Sequence, residues 1–370
     1  MQIICRQTDL MNSINIVSKA VPVKSTMPIL TCISITATPV GIRLTATDTE
    51  LGIETMLIGS VTEPGTIALD AKIFQDIVRK LPDGDVTLTT DSNYQAVITC
   101  EKSKFDIAGR PTDEFPALPE VVKDSEIRIS QFTMREMIRQ TIFSIAASDN
   151  NKLMTGEFLE VTGNRMRLIS LDGHRISIRK ILLDEDYGNF SAVIPGKTLS
   201  ELSKILSAEL KDEMHISFSK KYVSFEFDGT LMTSRLIEGE YYKVDQMLSN
   251  DYETKLVVNR RQLMDSIDRA QLLIRENEKK PVILNIKDDS MNIRAMTSLG
   301  SLNEDIEVEK SGVDILIGFN PRLLMDAIRV IDNEELNIYL FNPKAPCFIR
   351  DDEDSYLYLI LPVNFNASDY

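Results

Sequence analysis

GTIALDAKIFQDIVRKLPDGDVTLTT, from Gly65 to Thr90, contains the clearest pattern of secondary structure in the chain. Its apolar strand leads into a segment with aliphatic residues three and four positions apart, and then into a turn and an alternating strand. The same order of strand, helix and strand recurs from Ser191 to Phe218 and from Val313 to Phe341. A spacing of about 120 residues is longer than that of solenoid repeats and predicts repeated domains.

A second repeated unit precedes each of these copies, and it consists of a helix followed by a run of short strands. The predicted helices are Thr8 to Val21, Thr133 to Ala146 and Arg261 to Arg275. Strands joined by turns of a few residues cannot run parallel, so the sequence predicts an α+β fold in which each domain packs two helices on antiparallel sheets. Polar passages between apolar runs place the three domains at residues 1–122, 126–249 and 252–370.

The composition is that of a folded chain of several domains. The 370 residues exceed what one core usually serves, and 43% are hydrophobic while 26% are charged. Because no run of 18 apolar residues and no amino-terminal export signal occurs, we expect a cytoplasmic protein with no membrane partner. The four cysteines are scattered, and we expect buried, reduced thiols; they are Cys5, Cys32, Cys100 and Cys347.

Charge is distributed unevenly along the chain. The net charge of −15 disfavours nucleic-acid binding when the chain is taken as a whole. The segments around the six predicted helices nevertheless carry 19 basic and 10 acidic residues, while the remainder carries 22 basic and 46 acidic ones. This segregation would let the helices face a polyanion, although the ordinary abundance of Lys and Arg in helices also accounts for it.

No catalytic constellation is found, so an enzyme and a cofactor or metal site are not expected. His174 and His215 are the only histidines. Gly196-Lys197-Thr198 follows a strand as a phosphate-binding loop would, but Ser191 stands where that loop needs glycine, so we expect Thr198 at a helix start instead. Asp351 to Asp354 is typical of a solvated hairpin tip. Leu171 to Arg175, LDGHR, permits an Asp–His relay or a structural turn, and no nucleophile supports the relay.

The order of several short motifs resembles the β subunit of bacterial DNA polymerase III, the β sliding clamp family. The resemblance covers essentially the whole chain. Its carriers are PIL at 28–30, LTATDTELGIE at 44–54, GRPTDEFPALPE at 109–120, LISLDGHR at 168–175, IPGK at 194–197, IGFNPRLLMDAI at 317–328 and YLILPV at 358–363. The resemblance implies three domains of the DNA clamp fold in a ring-shaped head-to-tail homodimer, acting as a DNA polymerase processivity factor.

The resemblance also implies partners and binding residues. The implied partners are duplex DNA without sequence specificity, the clamp loader complex, the replicative polymerase, and other polymerases and repair proteins that bear clamp-binding motifs. Six basic residues are implied to contact DNA phosphates: Lys24, Lys72, Arg79, Lys152, Lys197 and Lys204. For each of them, a solvated surface charge without a DNA role is the alternative.

A pocket between the second and third domains is implied to bind partner peptides rich in Gln, Leu and Phe. Position by position, its residues are Met154, Leu171, Gly173, His174, Arg175, Ile176, Tyr242, Met247, Asn320, Leu323, Pro346, Ile360, Leu361, Pro362 and Val363. Tyr242 and Lys344 depart from the family pattern, in which proline and a small or apolar residue are usual. The chain also continues past LPV with a polar tail, Asn364 to Tyr370, which would fold away or stay mobile.

Two other interpretations of the sequence remain. An acidic scaffold of repeated α+β domains that never encircles DNA would share the repeats and the lack of catalytic residues. An enzyme with a site built from scattered carboxylates, such as a metal-dependent hydrolase, is the third. Ile73 and Phe74 are candidates for the contact between subunits, but both could equally belong to the core.

Overall fold

The structure is a computed structural model, and it describes residues 1–121, 124–148, 151–274 and 280–366. The first of these ranges alternates strands with two helices and two short 3-10 turns. Its elements are β1 (Gln2–Arg6), α1 (Gln7–Val17), β2 (Cys32–Thr38), β3 (Gly41–Thr47), β4 (Leu51–Leu57), β5 (Gly59–Glu63), β6 (Gly65–Asp70), α2 (Ala71–Lys80), β7 (Asp85–Thr90), β8 (Gln95–Cys100) and β9 (Ser103–Ala108).

The middle of the chain repeats this order. Its elements are β10 (Ser125–Ser130), α3 (Gln131–Thr141), β11 (Gly156–Thr162), β12 (Arg165–Leu171), β13 (Arg175–Leu182), β14 (Asn189–Pro195), α4 (Gly196–Ser203), β15 (Glu213–Phe218), β16 (Tyr222–Phe227) and β17 (Thr230–Arg235). Short 3-10 helices lie between α3 and β11, at Ile142–Ser144 and Lys152–Thr155, and after β17, at Val244–Met247.

The last part repeats it again. Its elements are β18 (Thr254–Asn259), α5 (Arg260–Gln271), β19 (Val282–Lys287), β20 (Ser290–Thr297), β21 (Gly300–Gly312), β22 (Ile315–Phe319), α6 (Pro321–Val330), β23 (Glu335–Leu340), β24 (Cys347–Arg350) and β25 (Tyr356–Ile360). The three predicted strand–helix–strand copies are therefore confirmed as β6–α2–β7, β14–α4–β15 and β22–α6–β23.

Capping side chains explain where several helices begin. Asp70 accepts a hydrogen bond from the amide of Ile73 at the start of α2, and Asn320 does the same for Arg322 at the start of α6. Each cap satisfies a backbone N–H that has no partner inside the helix. The predicted helix from Thr133 to Ala146 ends early as an α-helix, at Thr141, whose φ of −125° and ψ of −38° leave the helical region.

The first compact unit comprises Met1–Thr133 and Glu201–Leu236. It contains a five-stranded sheet in the order β5-β1-β7-β8-β9 and an eight-stranded sheet in the order β10-β15-β16-β17-β4-β3-β2-β6. In the larger sheet β17 pairs with β4, from Thr230 opposite Thr55 to Ser234 opposite Leu51. Phe74 on α2 is fully buried, so this residue belongs to the core.

The second compact unit comprises Met134–Ser200 and Ile237–Tyr370, of which the tail is described to Asn366. Its strands form one sheet in the order β14-β11-β12-β13-β25-β24-β23-β18-β21-β20-β19-β22. Helices α5 and α6 bury apolar residues such as Ile267 and Ile328 against it. Every strand pair described in the two units is antiparallel, as the short predicted turns require.

Candidate peptide-binding groove

A groove with a volume of about 1170 Å³ lies within the second unit. Its walls come from the β12–β13 turn, the end of α5, helix α6 and the chain after β25. The lining residues are Phe143, Ile145, Ala147, Asp172, His174, Arg175, Gln271, Ile274, Lys280, Asn320, Pro321, Arg322, Leu323, Met325, Asp326, Arg329, Leu361, Pro362 and Val363. A concave surface with apolar positions and a few polar ones is typical of a ligand site.

The LDGHR segment forms the tight turn between β12 and β13. The Asp172 carboxylate accepts hydrogen bonds from the amides of His174, at 2.9 Å, and Arg175, at 3.2 Å. Gly173 has φ +88°, a conformation that side chains with a Cβ rarely adopt. The structural-turn reading of this segment is therefore confirmed, and the turn holds His174 exposed at the groove.

The carboxyl-terminal strand brings the YLILPV motif to this turn. β25 pairs with β13, with Ile360 opposite Arg175. The amide of Leu361 then donates to the carbonyl of His174 at 2.9 Å, and the amide of Val363 donates to the carbonyl of Gly318 at 2.8 Å. Residues far apart in the sequence are thus joined by backbone hydrogen bonds, which fixes their side chains along one wall.

Arg175 ties three walls of the groove together. Its guanidinium donates to Asp172 at 3.0 Å and to Asp326 on α6 at 2.7 Å, and it also donates to the carbonyl of Phe143. The guanidinium carbon lies 5.4 Å from the centre of the Phe143 ring. Burial by itself lowers the pKa of Arg175, but the hydrogen bond to Asp326 and the neighbouring charges outweigh this effect and raise it. The side chain is a buried cation held in place by its partners.

Seven of the predicted pocket residues line this groove: His174, Arg175, Asn320, Leu323, Leu361, Pro362 and Val363. Met154, Leu171, Ile176 and Tyr242 belong instead to a neighbouring apolar cluster of the same unit. Ile360 is fully buried in the core. Gly173 and Met247 are exposed, and Pro346 is half-buried, but none of these three lines the groove.

The neighbouring cluster combines strand residues with Tyr241 and Tyr242, which lie between β17 and β18. The rings of Tyr241 and Phe158 stack with their centroids 4.8 Å apart, and Tyr242 meets Tyr241 edge-on at 5.7 Å. Asn151 donates a hydrogen bond to the hydroxyl of Tyr242. Tyr242, one of the departures from the family pattern, is therefore held by packing and by a hydrogen bond. The other departure, Lys344, is exposed.

Sequence reasoning missed several groove residues, especially on α6. Arg322, Asp326 and Arg329 all line the groove. Their spacing of four and three residues places them on one helical face, and this spacing could have identified them. Phe143 carried no such signal, because it lies in a 3-10 helix that its local sequence does not distinguish. Of the tail, Phe365 packs near Gly318, whereas residues 367–370 lie outside the described residues.

A buried carboxyl group lies in the same unit. Glu157 on β11 is fully buried, and its Oε2 is 2.6 Å from the hydroxyl of Thr141. Burial raises the pKa of Glu157 to about 8, although the Thr141 contact opposes the rise. The Thr141 hydroxyl is also 2.7 Å from the carbonyl oxygen of Met137, which can only accept. Because one hydroxyl has one proton, the geometry fits a neutral Glu157 that donates to Thr141.

All six predicted DNA-contacting residues have exposed side chains. Lys72 and Arg79 lie on α2 of the first unit, where Arg79 pairs with Asp76 at 2.5 Å. The first unit also contains Lys24 and Lys204, and Lys204 pairs with Glu201 at 2.7 Å. The second unit contains the remaining two, Lys152 and Lys197. Exposure is what phosphate contact requires, and it does not distinguish that role from solvation.

Metal sites and membrane-spanning helices are absent from the described part of the chain. Within the described ranges, no three His, Cys, Asp or Glu side chains are grouped so that they could hold a metal ion. No helix among the described residues is long and apolar enough to cross a membrane. The four cysteines are buried and free, as predicted. The Asp351–Asp354 run forms the predicted hairpin tip between β24 and β25.

Comparison with known proteins identifies the family. Models of the N-terminal, central and C-terminal domains of the DNA polymerase III β subunit match residues 1–119, 128–243 and 245–364. The β sliding clamp of Staphylococcus epidermidis is 33% identical over 363 residues, which cover 95% of this chain and 96% of that one.

Solved structures agree with this match. A chain from Eubacterium rectale, provisionally described as a DNA polymerase III β subunit, is 55% identical with a TM-score of 0.95, covering 99% of this chain and 100% of that one. The DNA polymerase sliding clamp of Bacillus subtilis is 31% identical with a TM-score of 0.94, over the same shares of the two chains. The chain therefore belongs to the DNA polymerase III β subunit family, the β sliding clamps.

Proposed function

We propose that this chain is a DNA polymerase processivity factor that acts as a ring-shaped head-to-tail homodimer around duplex DNA, without catalysing a reaction itself. A topological link replaces tight binding, so the ring can slide. The replicative polymerase, the clamp loader complex, and other polymerases and repair proteins would dock through short peptides. We infer that it acts with these partners in the cytoplasm. The three domains would span 1–122, 126–249 and 252–370.

Strand pairing within the chain supports a ring. β17 adds to β4 through Leu51–Thr55, the part of β4 that follows the β3–β4 turn. β25 adds to β13 in the same way, through Arg175–Arg179 after the β12–β13 turn. The corresponding strand of the third repeat is β21. Within the described chain, its residues 300–307 pair with β20 alone, while β9 is an edge strand of the first repeat.

Head-to-tail association would complete this series. β9 of one subunit would add to β21 of the other, so that the first domain of each subunit meets the third domain of its partner. In this heterologous contact, the first domain of each subunit offers one surface and the third domain offers another. The ring closes with two chains if the rotation that relates one subunit to the next is right. Ile73, which is 52% exposed, and Phe105, which is 37% exposed, offer apolar surface on the first domain.

The groove is the single observation that carries the partner-binding part of this proposal. It combines apolar positions such as Leu323, Met325 and Val363 with a fixed polar group, Arg175. Leu and Phe side chains of a peptide would fill the apolar positions, and the polar rim would orient the peptide. The apolar cluster around Tyr242 would extend this surface toward Met154 and Leu171.

DNA contact would come from the six exposed basic residues, through weak phosphate contacts that read no base sequence. The test is retention on circular DNA. The chain is loaded by its clamp loader onto a nicked plasmid, the complex is isolated by gel filtration, and half of it is linearised with a restriction enzyme. We expect the chain to stay on the circle and to leave the linear DNA. Equal retention on both would contradict topological binding and favour the acidic scaffold.

A second arm of the same experiment tests the DNA-contacting residues. Lys72, Lys197 and Lys204 are changed together to Gln, and the folded state is checked by circular dichroism. We expect less clamp on the circles at moderate salt, because each phosphate contact adds to the salt dependence of binding. Unchanged loading by this folded variant would remove these residues from the proposal and leave the ring intact.

A further inference from the structure

The 3-10 helix Ile142–Ser144 carries part of the groove wall. Phe143 at its centre and Ile145 just after its end both line the groove. The hydroxyl of Ser144 lies 2.7 Å from the hydroxyl of Ser177 on β13, and both residues are fully buried. Hydrogen bonds as well as apolar packing therefore set the position of this wall.

Thr141 joins this 3-10 helix to the end of α3 and is itself fully buried. Its carbonyl accepts a hydrogen bond from the hydroxyl of Ser170 on β12 at 2.5 Å. Its own hydroxyl lies 2.7 Å from the carbonyl oxygen of Met137 and 2.6 Å from a carboxyl oxygen of Glu157. One hydroxyl proton serves one acceptor, so both contacts are hydrogen bonds only while Glu157 carries a proton and donates it.

Loss of that proton would leave a carboxylate that the described residues do not compensate. Glu157 is fully buried, and its second carboxyl oxygen has no hydrogen-bond partner among them. No charged side chain in the described ranges contributes to its pKa, and the titratable group that it faces is the phenol of Tyr241, whose own pKa is raised by burial. A buried charge without a partner is costly, so ionisation favours conformations in which Glu157 reaches water.

We propose that Glu157 is a positioning residue for the groove, and that its proton holds Thr141 and the following 3-10 helix where Phe143 and Ile145 form the wall. The inference rests on the proposed peptide-binding function of the groove and adds a regulation to it. To let an ionised Glu157 reach water, the end of α3 beside it would move, and the groove wall follows it directly along the chain. A peptide that binds the closed wall therefore favours the protonated form.

The size of the effect follows from the fraction of chains that keep the proton. Burial raises the pKa of Glu157 to about 8, so at pH 9 the ionised form outnumbers the protonated form by about ten to one. Because the protonated form is the one that binds, the apparent Kd of a peptide should rise about tenfold between pH 6.5 and pH 9.

The experiment measures peptide affinity by fluorescence anisotropy on the full chain from pH 6.5 to pH 9. The labelled peptide contains Gln, Leu and Phe, with blocked ends and no titratable side chain. The wild type is compared with E157Q, whose amide can donate to Thr141 and does not titrate, and with E335Q, the same change at an exposed strand position. Circular dichroism at each pH checks that the titrated protein is folded. Titratable groups of the groove itself, such as His174 and Asp326, are common to the three proteins, so their effect cancels.

A second measurement needs no variant. Isothermal titration calorimetry of the wild type with the same peptide near pH 8, in two buffers of different ionisation enthalpy, gives the number of protons taken up on binding. About half of the free chains are ionised at that pH, so binding should take up about half a proton per chain.

We expect the wild type and E335Q to lose about tenfold in affinity by pH 9, and E157Q to bind at pH 9 about as it does at pH 6.5. An equal loss in E157Q, or a wild-type affinity that is constant with pH, overturns the role of Glu157 and leaves the groove function standing. Absence of binding by all three proteins at pH 6.5 overturns the groove function and this inference with it. If E157Q does not fold, the calorimetry decides, because binding without proton uptake by the wild type overturns the inference.

Discussion

The buried carboxyl of Glu157 makes the free energy of unfolding depend on pH in a way that one substitution can isolate. In the folded chain its pKa is raised to about 8 from an ordinary value of 4.5. An acid with a raised folded pKa stabilises the fold fully below pH 4.5, and that stabilisation is lost as pH rises through 8. At about 1.4 kcal/mol for each tenfold change in proton affinity, the full loss is about 5 kcal/mol.

The test compares the wild type with Glu157→Gln in urea unfolding followed by circular dichroism between pH 5 and pH 9. The amide of Gln can donate to Thr141 as the neutral carboxyl does, and it does not titrate. We expect similar stability of the two proteins near pH 5 and a variant more stable by several kcal/mol near pH 9. Glu335→Gln, the same change at an exposed strand position, is the control. A stability difference between wild type and E157Q that stays constant with pH would refute a neutral Glu157.

Two further predictions concern assembly and the groove. Changing Ile73 and Phe105 together to Asp should convert a dimer of about twice 41.8 kDa into a monomer, because burying charge at the subunit contact is costly. Sedimentation velocity measures this change. Val40→Asp, at a position 88% exposed, is the control and should stay dimeric. A dimeric double variant would move the contact elsewhere. Arg175→Met should lower the free energy of unfolding by about 3 kcal/mol, since it leaves two partly buried carboxylates unpaired, and adding Asp326→Asn should restore part of that loss. Wild-type stability of R175M would show that the network does not stabilise the fold.

The regular elements could be predicted from the sequence because their periodicity is local. The aliphatic spacing after Gly65 and its two later copies predicted strand, helix and strand where the structure has them. Helix ends were less accurate, since α3 stops as an α-helix at Thr141 while apolar residues continue beyond it. Periodicity does not report where a backbone leaves the helical region.

The groove could be predicted only in part, because contacts distant in sequence assemble it. LDGHR by itself indicated a turn, and only the pairing of β13 with β25 brings Leu361 beside it. Phe143 reaches the groove through a 3-10 helix, which no local pattern specifies. Of the two residues considered for the subunit contact, Phe74 belongs to the core, and the exposed Ile73 stays a candidate.

The three-way hold of Arg175 on the turn, on α6 and on the Phe143 carbonyl has a kinetic consequence. A recognition surface that is already rigid pays little entropy when a partner arrives, so the ordering cost falls on the incoming peptide. Partners that bind through disordered tails would then differ mainly in their dissociation rates. Exchange of one enzyme for another on a moving ring would be governed by residence time, with no rearrangement of the ring needed to release the first.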